Sequence, residues 1–134
     1  EAGAAQLLAF LEFIGARAAA YAGLFSGAVG QDDAVQEVVR RTREAYVQRT
    51  RAHLRLPEGH PLVDLALRSW VVSVQYAALG WISEPAVSRD ELALTLLAGL
   101  GGALLAVDTL HAVLDPEMRA ELRRQVAVVN PTAA

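Results

Sequence analysis

The sequence predicts an all-α fold, a single helical-bundle domain of about six helices. Between turn-forming clusters, apolar residues recur at three- and four-residue spacing and do not alternate, which is the period of a helix. The clusters themselves cut the chain into helix-length pieces: Gly15, Gly27 to Gly30, Leu56-Pro57-Glu58-Gly59-His60-Pro61, Ser83-Glu84-Pro85, Asp115-Pro116 and Asn130-Pro131. The chain has 134 residues, 54% apolar and 20% charged, enough for one core and too hydrophobic for a solvated disordered chain. It carries no internal repeat, so residues 1–134 read as one domain.

The first helix is expected over about 2–14, with Leu7, Phe10, Leu11 and Ile14 on one face, and a short second over about 17–27 past Tyr21, Leu24 and Phe25. A third is expected from Asp33, a cap answered by Gln36, to about Leu54. Its apolar stripe is Val35, Val38, Val39, Thr42 and Tyr46. The opposite face, Glu37, Arg40, Arg41, Glu44, Gln48, Arg51 and Arg55, reads as solvent-facing, with oppositely charged pairs at the four-residue spacing.

The fourth helix starts with Pro61 in its first turn and runs to about Ser83. Val63, Leu67, Trp70, Val74, Ala77 and Trp81 form its core sector, and Asp64, Arg68 and Gln75 a narrow polar one. A third sector of Leu65, Ser69, Val72, Ser73 and Tyr76 is also not strongly polar, so the helix has two faces to bury. The fifth, over about 88–114, opens on the capping box Ser88-Arg89-Asp90-Glu91, flanked by Val87 and Leu92 as a hydrophobic staple. Leu92, Leu96, Leu100, Ala103, Val107, Leu110 and Leu114 form its expected core stripe, beside a stripe of small residues, Thr95, Gly99, Gly102, Ala106 and Thr109. Glycine costs a helix about 1 kcal/mol relative to alanine, so a glycine stripe suggests close approach of another helix. Asp115-Pro116 opens a last helix to about Val128.

Two helices with two buried faces each are more than one small monomer easily covers. The expected arrangement is a homodimer in which helices 61–83 and 88–114 meet their symmetry mates as a four-helix bundle. Its interface is assigned to Leu65, Ser69, Val72, Ser73, Tyr76, Thr95, Gly99, Gly102 and Ala106. The alternative is one monomeric globule that folds in all of these faces.

The chemistry of the chain is mostly exclusion. Net charge is -3, from 12 basic and 15 acidic residues, which argues against a nucleic-acid surface on this chain. There is no cysteine, and every basic residue is arginine, so thiolate, Schiff-base and P-loop lysine chemistry are absent. His53, His60 and His111 lack the i, i+4 pairing of a helical zinc site. Asp108 and His111 stand three apart like one arm of a carboxylate di-iron site, but there is no second arm, and a local hydrogen bond or plain exposure accounts for them.

Ser26, Ser69, Ser73, Ser83 and Ser88 lack a nucleophile elbow, and the acidic pairs Asp32-Asp33 and Asp90-Glu91 sit at helix starts. Gly99-Leu100-Gly101-Gly102 lies within a helix and follows no strand, so it is no phosphate loop. The arginines between Arg40 and Arg55 read as a solvated, partly ion-paired face. No catalytic residue, metal or cofactor is expected. The uncharged run between Glu91 and Asp108 is too short for a bilayer span, and no membrane contact is expected. The opening Glu1-Ala2-Gly3-Ala4-Ala5 lacks an initiator methionine and reads as the start of a piece of a longer polypeptide.

Leu67-Arg68-Ser69-Trp70-Val71-Val72-Ser73-Val74-Gln75, Trp81-Ile82 and the opening Ser88-Arg89-Asp90-Glu91-Leu92 together resemble a known pattern. With Phe10-Leu11-Glu12-Phe13-Ile14 and Tyr21-Ala22-Gly23-Leu24-Phe25 upstream, residues 5–107 resemble the C-terminal effector-binding and dimerisation domain of TetR-family bacterial transcription regulators. The resemblance implies a cytoplasmic repressor, not an enzyme, whose small, mostly apolar or aromatic effector enters among the helices and shifts the spacing of two DNA readers. The helix-turn-helix part is expected to be missing from this chain, so operator DNA would be met only through that absent domain.

Large side chains facing inward are candidates for such a site: Phe10, Phe13, Tyr21, Phe25, Tyr46 and Trp70, with Val39, Thr42 and Val74 between them. Tyr46 and Trp70 have polar tips able to orient a ligand. Gln75 ranks lower because its sector reads as solvent-facing. The expected cavity lies between the first three helices and the core face of the fourth. Ordinary core packing is the alternative for each residue, and a helical interaction module without a pocket is the alternative for the domain.

Overall fold

A computed structural model describes residues 5, 7–9, 11, 12 and 33–129, and all of its regular structure among them is helical. The described residues within 5–12 are helical, followed by α1 (Asp33–His53), α2 (Pro61–Ser83), α3 (Arg89–His111) and α4 (Pro116–Val129). Neighbours in sequence are neighbours in space, with α1 on α2, α2 on α3 and α3 on α4.

Helix ends are set by local chemistry. The His60 imidazole accepts from the Val63 amide at 3.4 Å, and Pro61 opens α2. At α3, the Ser88 hydroxyl accepts from the Glu91 amide at 3.1 Å while the Glu91 carboxylate accepts from the Ser88 amide at 3.2 Å, the expected capping box. This helix stops at His111 and not at Leu114, because Ala112 turns into the left-handed region at φ 51° with its amide bonded to the Asp108 carbonyl. Asp33 stands in the first turn of α1, one place inside the position expected for a cap.

One core cluster sits among the four helices, built from Val47, Leu54, Val63, Leu67, Leu100, Leu104 and Leu122 with their neighbours. A second joins Leu7 and Leu11 to Val74, Ala78 and Ala93, and Trp70 packs against both. Two of the expected faces are corrected. On α1 the buried side is Val39, Val47 and Arg51, continued by Leu54 just past its end, while Val38 is 57% exposed and Thr42 faces solvent. On α3 the core side is Ala93, Leu100, Gly101, Leu104, Val107 and Asp108, so that Ala103 and Leu110 of the expected stripe lie outside.

Three buried polar groups were expected at the surface or left open. Arg51 is buried against Asp64 and donates to Gln48, clamping α1 to α2. Gln75 is buried and accepts from Arg43. Asp108 accepts from the Leu114 amide at 2.8 Å and from Arg119 Nε at 2.5 Å, tying the end of α3 to α4. The Arg119 guanidinium holds the Asp108 carboxyl below the usual carboxylate range, against the opposing effect of burial. Although their uncharged runs are short, α2 and α3 are long and apolar enough to cross a bilayer. In this fold each turns one face into the core, and α2 carries Arg68 in a 3.0 Å ion pair with Glu44 of α1.

Candidate ligand pocket and dimer face

A cavity of about 250 Å³ opens among the four helices. From α2 come Trp70, Val71, Val74 and Gln75; from α3 Leu97, Leu100 and Gly101; from α1 Tyr46, Thr50 and His53, with Leu54 just past its end. Met118, Glu121, Leu122 and Gln125 of α4 close one side, and Leu7 reaches it from the N-terminal residues. The walls are mostly apolar, with polar groups at a few points, the composition that suits a small organic molecule.

Trp70 is held by its indole N–H, which donates to the Leu96 carbonyl at 2.8 Å, so the ring faces the cavity with its polar tip already satisfied. Tyr46 lies beneath the Arg49 guanidinium, 4.6 Å from the ring centroid. The Thr50 hydroxyl donates to the Tyr46 carbonyl, leaving its methyl for the apolar wall. At Gly101 α3 packs tightly on α4: a Cβ there would stand 3.2 Å from Val126 Cγ2.

The second faces of α2 and α3 are uncovered on the single chain. Leu65 is 62%, Val72 46% and Tyr76 81% exposed, and Ser69, Ser73, Thr95, Gly99, Gly102 and Ala106 are exposed as well. A Cβ added at Gly99 or Gly102 would meet nothing within 4 Å. Residues 3–100 match the family described as Tetracyclin repressor-like, C-terminal domain. The chain belongs to this family.

Neither the curated proteins nor the solved structures compared with it gave a match. TetR-like C-terminal domains are ligand-binding and dimerisation domains of regulators, without enzymatic activity, and the fold agrees with that class. Among the described residues no three metal-ligating side chains gather. The His60 and His111 rings meet edge-on at 5.0 Å, but Nδ1 of His60 is used in capping α2.

Of the side chains singled out from the sequence of this TetR-like domain, Tyr46, Trp70 and Val74 line the cavity. Val39 is buried in the core away from the described lining, and Thr42 is exposed with its hydroxyl donating to the Val38 carbonyl at 2.9 Å. Phe10, Phe13, Tyr21 and Phe25 lie outside the described residues. The cavity also lies further along the chain than expected, because α3 and α4 supply much of its wall. The spacing of Met118, Leu122 and Gln125 on one side of α4 was a helical signal that could have found them. Arg40 and Arg41 of α1 are engaged with Glu37, which they hold at a pKa of about 2, and Arg55, just past the end of that helix, with Asp115.

Proposed function

We propose that residues 1–134 form the effector-sensing and dimerising domain of a cytoplasmic TetR-like repressor. The effector is a small apolar or aromatic molecule seated at Trp70, Tyr46 and Val74. Operator contact belongs to a helix-turn-helix unit outside these residues. The observation that carries the reading is the cavity, mostly apolar and walled by residues of α1, α2, α3 and α4, so that a ligand there touches each of these helices. It favours a sensor over an interaction module without a pocket. No turnover and no bound metal form part of this reading.

Dimerisation through the second faces of α2 and α3 is the other half. The apolar side chains Leu65, Val72 and Tyr76 flank small residues at Ser69, Thr95, Gly99, Gly102 and Ala106, a surface that two copies can share about a twofold axis. Sedimentation equilibrium at tens of micromolar is expected to give a dimer, and a monomer there contradicts the assignment. For the pocket, thermal denaturation with neutral aromatic compounds is the test. A ligand bound only by the folded chain adds about 2.7 kcal/mol at a hundredfold excess over its Kd. An unchanged midpoint across such a panel would favour the interaction module.

A further inference from the structure

Gln75 lines the cavity and is only 5% exposed, an unusual place for an amide in an apolar wall. Its Oε1 accepts from Arg43 Nε at 2.5 Å. A guanidinium has donors and no acceptor, so this bond fixes which end of the amide is oxygen. The other end, Nε2, makes no hydrogen bond to any described residue. As a lining residue whose oxygen end is committed to Arg43, Gln75 has its donor end left for a ligand.

We infer that the cavity receives a neutral ligand, apolar over most of its surface, that carries one hydrogen-bond acceptor, a carbonyl or ether oxygen, met by Nε2 of Gln75. The inference rests on the effector-binding reading above and adds the polar feature being read. Nε2 can only donate, so its partner must accept. Arg43 draws on the oxygen end of the amide and thereby strengthens the donor end. A carboxylate is disfavoured as the acceptor, because the described lining contains no arginine and does contain Glu121. The lining also includes Trp70, Val71, Val74 and Leu100, an apolar wall for the body of the ligand in which the Trp70 N–H is already spent on Leu96.

Benzophenone and diphenylmethane test this, being alike in shape and differing in one carbonyl. Without a donor in the site the hydrocarbon binds better, because the ketone gives up its hydrogen bonds to water. The domain itself is expected to favour benzophenone about tenfold by calorimetry or tryptophan quenching. Gln75→Leu removes the donor, and Gln75→Glu removes it while keeping a partner for Arg43. Both variants are expected to lose the preference while still binding diphenylmethane. An unchanged preference in both variants overturns the role of Gln75 and leaves the pocket standing, as does a domain that binds both compounds but favours the hydrocarbon. Failure of both compounds to bind the unsubstituted domain removes the pocket reading and this inference with it.

Discussion

At the junction of α3 and α4 a single carboxylate holds two elements. Asp108 receives the Leu114 amide and the Arg119 guanidinium while almost out of contact with water, so a side chain without an acceptor would strand the Leu114 amide and cost Arg119 its ion pair. Asp108→Asn keeps an oxygen for Leu114 but loses the charge, and is expected to cost about 2 kcal/mol at neutral pH by urea denaturation. The pH dependence follows in sign. The folded carboxyl titrates below the ordinary unfolded aspartate value of about 3.9, so between the two values the folded chain binds fewer protons. Its contribution is therefore complete above about pH 4 and lost as pH falls through the folded value. The Asn variant should lose less stability on acidification than the parent, and an equal loss would remove Asp108 from the acid response.

Local chemistry at this scale was legible and distant chemistry was not. The capping box at Ser88 could be read because both partners lie within three residues. Gln75 was misplaced because its partner Arg43 is 32 positions away, and Arg51 because Asp64 is 13 away on another helix.

At the scale of elements, the glycines of α3 separate two kinds of contact. Gly101 faces α4, where a larger side chain meets Val126 and the Leu122 backbone, whereas Gly102 faces outward with room. Gly101→Leu should overpack the α3–α4 seam and cost about 1 to 3 kcal/mol. Gly102→Leu should leave the chain folded, since the exchange improves helix propensity, yet block a symmetry mate from close approach. Thermal melts and sedimentation on the two variants check the pair, and a dimeric, fully stable Gly102→Leu would remove that glycine from the interface. At the end of the same helix, Ala112 adopts φ 51°, a conformation that glycine takes without strain. Ala112→Gly is therefore expected to stabilise by about 1 kcal/mol, and destabilisation would contradict the capping account.

The core face of α3 escaped the sequence for a related reason. Leucines at 92, 94, 96, 97, 100, 104, 105 and 110 surround this helix, so no period singles out one side. Its start was set by the capping box, but its facing was set by the packing of α2 and α4. On α1 the opposite happened: Thr42 followed the expected spacing, yet burial went to Val47 and Arg51 because Asp64 on α2 gives the arginine a partner.

For the whole molecule, the all-α class and the extents of α1, α2 and α4 were readable from turn chemistry to within a residue or so, as was the family. The position of the cavity was only half readable: Trp70, Tyr46 and Val74 were placed on it, but α4 brings in Met118, Glu121 and Leu122 from a stretch that looks like an ordinary amphipathic helix. The cavity and the uncovered α2–α3 face use different sides of the same two helices, so in the proposed function α2 is the element that would connect ligand entry to subunit contact. The central claim is that a small molecule enters at Trp70. Trp70 and Trp81 are the two tryptophans, and Trp81 is tied instead to the Val87 carbonyl at 2.9 Å, away from the described cavity lining. Titration with benzophenone followed by intrinsic fluorescence is therefore the most direct measurement: the account predicts a saturable change that Trp81→Phe retains and Trp70→Phe abolishes, while a change retained in Trp70→Phe and lost in Trp81→Phe would contradict it.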